Sequence, residues 1–213
     1  MKTKFVFLLI VISVTACGPR LETIEEKNEK GQIISRYTQD PNTQLREGKS
    51  FSYFEDGAIL EEAYYQNGIL EKERKLYFEN GQVQAKENYE NNQFKGLYQA
   101  FYENGQLELE GHYTNGEMND DWKRYYETGE LMEVVTFKSN EENGPFIEYY
   151  KNGNKKAEGV YLEGDNEHGE LKMYSETGEL VRIMNCVVGR CQTTWKKMEN
   201  GEWRMENGEF SRR

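Results

Sequence analysis

What this 213-residue sequence lacks narrows its possible roles first. Its two histidines, His112 and His168, are not spaced as metal partners for its three cysteines, and a structural zinc site wants four ligands. No G-x-S-x-G elbow, H-E-x-x-H pair or phosphate loop occurs. No repeat of the chain carries a basic patch, for 27 Lys and Arg stand against 38 Asp and Glu, a net charge of −11. Binding a nucleic-acid backbone needs clustered cations that release its counterions, so that class of partner is excluded. The longest apolar run, Phe5 to Val14, is broken only by Ser13. It falls short of the roughly 20 residues that span a hydrocarbon core.

Glycine, by contrast, recurs on a schedule. Gly57, Gly81, Gly105, Gly129, Gly153 and Gly178 are spaced by 24, 24, 24, 24 and 25 residues. Such a period marks a repeat architecture and sets the unit in which the rest is read. Four residues before each glycine stands Tyr53, Tyr77, Phe101, Tyr125, Tyr149 or Tyr174; three before it, Phe54, Phe78, Tyr102, Tyr126, Tyr150 or Ser175. Eight after it comes Tyr65, Tyr89, Tyr113, Phe137, Tyr161 or Cys186, and eleven after it a second turn residue, Gly or Asn. Asn-Gly or Asp-Gly between runs of aromatic and aliphatic residues signals a β-hairpin with positive φ at both central residues. Turns alternating at 11 and 13 residues leave strands of about six to eight residues and no room for a helix. With two-residue loops, Phe54 faces Ile59, Phe78 faces Val83, Tyr102 faces Leu107 and Tyr126 faces Leu131, each a stabilising cross-strand pair.

The expected fold is therefore all-β: an elongated, twisted antiparallel sheet of stacked hairpins with about twelve strands, roughly 55–60 Å long. Residues 48–191 hold six repeats, 17–47 a tether and a degenerate first repeat, and 192–213 a degenerate last repeat or cap. The tether is the polar, charged stretch from Gly18 to about Lys30. One extra residue lies in "GDNEHG" (164–169). An odd insertion flips every later side chain unless the turn or a bulge absorbs it, and we expect the turn to do so.

The phrases "ELEGHYTNG", with Gly111, Tyr113 and Gly116, and "AEGVYLEGDNEHGEL", with Gly159, Tyr161, Gly164 and Gly169, resemble the MORN repeat, and more closely its bacterial type 2 variant. The likeness covers about residues 48–191, with fainter copies at 29–37 and 198–203. It implies a curved or twisted sheet that binds partners. Bacterial proteins with this variant are also commonly labelled YwqK-type antitoxins, which implies an alternative role in neutralising a toxin by direct binding. The chain departs from the family phrase where Lys72 and Asp120 replace the glycine seen at Gly48, Gly96, Gly144 and Gly169, and where Lys155 replaces an inward aliphatic.

At the N-terminus, Lys2 and Lys4 followed by the short apolar run read as a signal peptide over residues 1–16. Val14-Thr15-Ala16-Cys17 resembles the lipobox of bacterial lipoproteins. That resemblance implies lipid attachment at Cys17, export, and anchoring in the bacterial cell envelope through the lipid alone. A cytosolic antitoxin has no use for this segment. The remaining thiols lie in "CVVGRC". If Val188-Gly189 is a two-residue turn, Cys186 faces Cys191 with Cα atoms roughly 4.5 Å apart, within the reach of a disulfide. A metal pair or two free thiols are the alternatives.

For function, the recurring turn glutamates Glu55, Glu79, Glu103, Glu127 and Glu176 are a repeated feature and not the single constellation of a catalytic pair. We expect no enzyme, no cofactor and no metal. The expected partner is a protein, basic or neutral given the acidic surface. Alternation gathers Tyr98, Tyr102, Tyr113, Trp122, Tyr126, Phe137, Phe146 and Tyr150 on one face, with Glu62, Lys86, Glu108, Glu110, Lys156 and Glu158 opposite. The aromatic face is either the partner-binding surface or the core of a sheet that curls over it.

Overall fold

The computed structural model describes residues 21–206, so the proposed signal segment and Cys17 lie outside the described residues. The chain forms one antiparallel sheet whose strands follow one another as a meander. The first strands are β1 (Glu22–Lys27), β2 (Ile33–Gln39), β3 (Arg46–Tyr53), β4 (Ile59–Gln66), β5 (Ile69–Tyr77) and β6 (Val83–Glu90). Next come β7 (Gln93–Phe94) and β8 (Gly96–Phe101), two pieces of one strand that both pair with β6. Then follow β9 (Leu107–Thr114), β10 (Glu117–Tyr125), β11 (Leu131–Lys138), β12 (Glu141–Tyr149) and β13 (Lys155–Tyr161). The last are β14 (Gly169–Tyr174), β15 (Leu180–Val187), β16 (Arg190–Lys197) and β17 (Trp203–Met205). The sheet exceeds twelve strands because both flanking copies join it, through the β1–β2 and β16–β17 hairpins. Six residues of the stretch expected to be tether, Glu22–Lys27, are thus strand.

Two kinds of turn alternate. Except in the fifth unit, the second turn is the expected two-residue loop: Asn67 and Gly68 both have positive φ between Gln66 and Ile69, as do Asn115 and Gly116 between Thr114 and Glu117. The first turn is not. In it only the glycine has positive φ, 90° at Gly57, while Phe54 N–H donates to the Ala58 carbonyl and Gly57 N–H to the Phe54 carbonyl. This is a three-residue loop closed by a glycine bulge. It is favoured because the Asp56 carboxylate accepts the Ala58 N–H at 2.9 Å, a bond that Asn80, Asn104 and Asn152 repeat in their own turns. The expected pairs therefore move by one residue, to Tyr53–Ile59, Tyr77–Val83, Phe101–Leu107 and Tyr125–Leu131. A register shift next to each of these pairs cancels the odd loop, and the strands recover their faces.

A second bulge recurs one strand later. Glu62–Lys75 and Tyr64–Glu71 bracket one residue of β4 but three of β5, and β10 and β12 repeat the pattern against β9 and β11. Each bulge holds a residue in the left-handed region: Gly48, Lys72, Gly96, Asp120 or Gly144. Lys72 and Asp120 thus keep the backbone of the glycines they replace. Across the neighbouring ladder that residue opposes the aromatic eight positions after the repeat glycine, as in Gly96–Tyr113 and Gly144–Tyr161. The extra residue in the fifth repeat widens its second turn, where Leu162 N–H donates to the Asn166 carbonyl; Gly169 still pairs with Cys186, so the turn absorbs the insertion.

Turns also bond to turns. On one side of the sheet Gly68, Asn92, Gly116, Asn140, Gly164 and Gly189 each donate a backbone N–H to the preceding unit, at 2.8–3.1 Å. On the other, the side chains of Asn80, Asn104 and Asn152 donate to the carbonyls of Glu103, Glu127 and Glu176 in the next turn. These two hydrogen-bonded rails run the length of the stack and tie each repeat to its neighbours, as in other quasi-one-dimensional folds.

Gly96→Ala and Gly111→Ala separate the two demands on glycine here. Gly96 has φ of +86° and an added Cβ there meets only Asn88 Cβ at an ordinary 4.0 Å, so it costs only the left-handed strain, about 1 kcal/mol. A Cβ on Gly111 would stand 2.1 Å from the Trp122 ring and displace it, costing about 3 kcal/mol. Urea titration should rank Gly111→Ala as clearly the more destabilised variant.

Candidate protein-binding surface

Ladder partners share a face. Following them places Tyr98, Tyr113, Trp122, Phe137, Phe146 and Tyr161 together, as the alternation implies. This face is the core. Trp122 and Phe146 are each 3 % exposed, although the sheet is the only layer among the described residues. The rings fill it against one another: Tyr113 meets Trp122 edge-on at 5.2 Å, Phe94 stacks on Tyr113 at 4.6 Å, and Phe146 stacks on Tyr161 at 4.1 Å. Large and small residues interlock, since Trp122 lies on the backbone of Gly111 and Phe146 on that of Gly159. Toward the C-terminus the core continues through Val135, Leu171 and Met184 to a disulfide joining Cys186 and Cys191, with Cα atoms 3.9 Å apart. Cys186 thereby occupies the place where earlier repeats put an aromatic ring.

Tyr102, Tyr126 and Tyr150 do not belong to that face. The three-residue loop carries them to the row of first turns, where their hydroxyls donate to the carbonyls of Tyr125, Tyr149 and Tyr174 at 2.8–2.9 Å. They pin one repeat to the next. Of the eight aromatics expected to meet a partner, the structure therefore buries two, Trp122 and Phe146, packs Tyr98, Tyr113 and Phe137 against them, and commits three to the stack itself.

Toward the N-terminus the same face turns polar. Arg74 reaches both Glu61 and the buried Glu87, with 3.2 Å to the latter, and Tyr89 donates to Glu87 at 3.1 Å. Burial alone would disfavour the Arg74 cation, but the hydrogen bond it donates to Glu61 and the two carboxylate charges hold it firmly protonated. Tyr89 is pushed up to about 12, first by burial. Farther along, Glu133 directly opposes Glu148, and Glu133 is raised above the usual carboxylate range by burial, then by the charges of Glu148 and Glu142.

The opposite face is the open one. There Tyr125 donates to Glu110 at 2.8 Å and Tyr174 to Glu158 at 2.6 Å, while Tyr77 reaches Glu62 at 3.4 Å. Each joins the residue four before one repeat glycine to the residue five after the preceding one. Where that second residue is Lys86, the first is Phe101, and the ammonium stands 5.4 Å from the ring centroid. Tyr125 and Tyr174 are pushed up to about 12, first by burial and then by these carboxylates. Hydrogen bonds from Lys49 hold Glu62, and from Lys155 hold Glu158, below the usual range. The result is a partly exposed stripe of fixed rings flanked by charges, one rung for every two strands, or roughly 10 Å. The pairing was detectable in sequence, in the coincidence of Tyr with Glu and of Phe with Lys in every interval but that of Val134 and Tyr149. Among the described residues no three His, Cys, Asp or Glu come together as metal ligands.

Because the folded-state pKa of Glu133 is raised, its ionisation opposes folding. That cost is absent below the unfolded value, about pH 4, and fully present above the folded value. Glu133→Gln should therefore melt higher than wild type at pH 7, by up to about 1 kcal/mol in stability, and match it near pH 3.5. Thermal melts at the two pH values check this.

Comparison with known proteins bears on the repeat alone. No curated protein matches this chain. Among solved structures, a crystal structure of the GtfA/B complex bound to UDP and GlcNAc is similar over 54 % of this chain, at 14 % identity and a TM-score of 0.23. A crystal structure of TcdB2-TccC3-TEV is similar over 88 %, at 10 % identity and a TM-score of 0.24. This chain spans 22 % and 13 % of those two chains, and neither likeness carries an argument about function. The model of the MORN repeat variant matches residues 46–67, 70–91, 95–115, 121–139, 142–163 and 167–185, one match for each glycine-spaced unit. The chain belongs to the MORN repeat variant family.

Proposed function

We propose that this protein is a non-catalytic, exported scaffold, lipid-anchored through Cys17, that holds a protein partner on the open face of its sheet. The observation that carries the reading is the division of labour between faces. The aromatic face is occupied by its own packing, with Trp122 at 3 % exposure. The opposite face repeats a stiff motif, Tyr77 with Glu62, Tyr125 with Glu110 and Tyr174 with Glu158. Rings already held by hydrogen bonds lose little entropy on binding, and Tyr is enriched in interface hot spots. The net charge of −11 favours a basic or neutral partner.

Two measurements test this. Cys17→Ser should leave an unprocessed or soluble protein; normal maturation and detergent partitioning of that variant would remove the anchor from the account. Separately, Tyr125→Ser with Tyr174→Ser should melt within a few degrees of wild type yet lose the proteins captured from detergent-solubilised envelopes. Capture of every wild-type partner by the double variant would rule out the open face.

A further inference from the structure

The turn glutamates stand two residues beyond the open-face rings. After Tyr77, Phe101 and Tyr125 come Glu79, Glu103 and Glu127, all exposed in successive first turns. The side chains of Asn80 and Asn104 donate to the carbonyls of Glu103 and Glu127 at 3.1 and 2.9 Å, which fixes the backbone of those turns. The three carboxylates meet no cation among the described residues, whereas Glu55 in the preceding turn meets Lys30. Tyr77, Phe78, Glu79 and Glu103 line one groove between adjacent turns. Tyr77 opposes Val83, Phe101 opposes Leu107 and Tyr125 opposes Leu131, so aromatic and aliphatic surface alternate from strand to strand along the row.

This row is bounded and sided. At the next unit Tyr149 opposes Lys155, and Lys151 replaces the turn glutamate, so the aliphatic partner and the negative charge both stop there. On the flank away from the turns the ladder runs Glu62, Lys75, Lys86, Gln99, Glu110 and Lys123, mixed in sign. The turn flank is acidic at all three rings. A ligand that lays apolar groups on the rings therefore directs its cations toward the turns.

Spacing selects the ligand's backbone. Successive rings are two strands apart, roughly 9.4–9.8 Å. A polyproline II helix presents the same face every third residue, after roughly 9.3 Å. An extended strand covers that distance in three residues, but its side chains alternate, so the third points away. An α-helix repeats its face over seven residues, roughly 10.5 Å, and drifts about 1 Å per ring. Polyproline II segments also suit aromatic-lined grooves, because their backbone is preformed and little entropy is lost. A sugar polymer stacks on rings as well, but its hydroxyls call for free hydrogen-bonding groups beside each ring. Here Tyr77 and Tyr125 give their hydroxyls to Glu62 and Glu110, and Phe101 has none.

We propose, resting on the open face as the partner surface, that the partner docks there as a cationic polyproline II segment. Proline at every third position lies over Tyr77, Phe101 and Tyr125, and Lys or Arg in the same period faces Glu79, Glu103 and Glu127.

The test titrates the full chain, in detergent micelles, into fluorescein-labelled peptides and reads anisotropy. One peptide has four Pro-Pro-Lys triplets; a second carries one extra proline at its centre, which puts its halves out of step by a third of a turn; a third has Gln for every Lys. The first should bind. The second, able to engage only two rings, should bind on the order of tenfold more weakly, and the third more weakly than the first at low salt alone. Tyr77→Ser should weaken the first peptide about as much as the extra proline does, while Tyr174→Ser, outside the three rings, leaves it unchanged. Glu103→Gln with Glu127→Gln should shrink the difference between the Lys and Gln peptides. Equal binding of the two Lys peptides, binding of neither, or preference of these rings for a hexamer of β-1,4-linked N-acetylglucosamine would overturn the proposal. The peptide comparison needs no variant protein. Failure of the peptides while envelope capture still depends on Tyr125 and Tyr174 would overturn this ligand class and leave the scaffold reading standing.

Discussion

A single β-sheet has no second layer to cover its apolar face, and that constraint governs this molecule. Burying Trp122 and Phe146 to 3 % exposure calls for cover from neighbouring rings and from any curl of the sheet toward that face. The curl comes from backbone geometry: in units from β3 to β12 a two-residue bulge carries a left-handed residue, and bulges bend and twist the strand that holds them. The two rails of turn-to-turn hydrogen bonds then hold each bent unit against the next. Core packing is a consequence of this frame, since Gly111 and Gly159 are the places where backbone must approach a ring.

Much of the architecture was legible in the glycine period, because strand faces alternate and a fixed repeat returns the same residue to the same face. The position eight after each glycine, Tyr113, Phe137 and Tyr161 among them, lies where alternation puts it, and the sequence position of Cys186 and Cys191 across a tight turn matches the disulfide. The first-turn geometry was not legible. Asn-Gly serves both a two-residue primed turn and a three-residue loop with a glycine bulge, and only the hydrogen bond from the residue after the glycine to the Asx side chain separates them. That ambiguity of one residue is what moved Tyr102, Tyr126 and Tyr150 from a face to a seam. Burial was equally hidden, because it depends on curvature, which no single residue encodes.

The two faces and the two ends divide the physical tasks. One face is spent on stability, apolar toward the disulfide and charged around Arg74 and Glu87. The other carries tyrosines whose hydroxyls are taken by carboxylates, leaving ring surface to offer. Such a layout explains how a repeat with no helix or second sheet among the described residues keeps a regular, accessible surface while remaining folded.

The claim on which all of this rests is that the sheet buries its aromatic face without help from any partner. Acrylamide quenching of Trp122 in a Trp195→Phe, Trp203→Phe background, on protein shown to be monomeric by sedimentation, addresses it directly. The account predicts blue-shifted emission that acrylamide barely quenches. Red-shifted, freely quenched emission from the folded monomer would mean the face is open, and would contradict it.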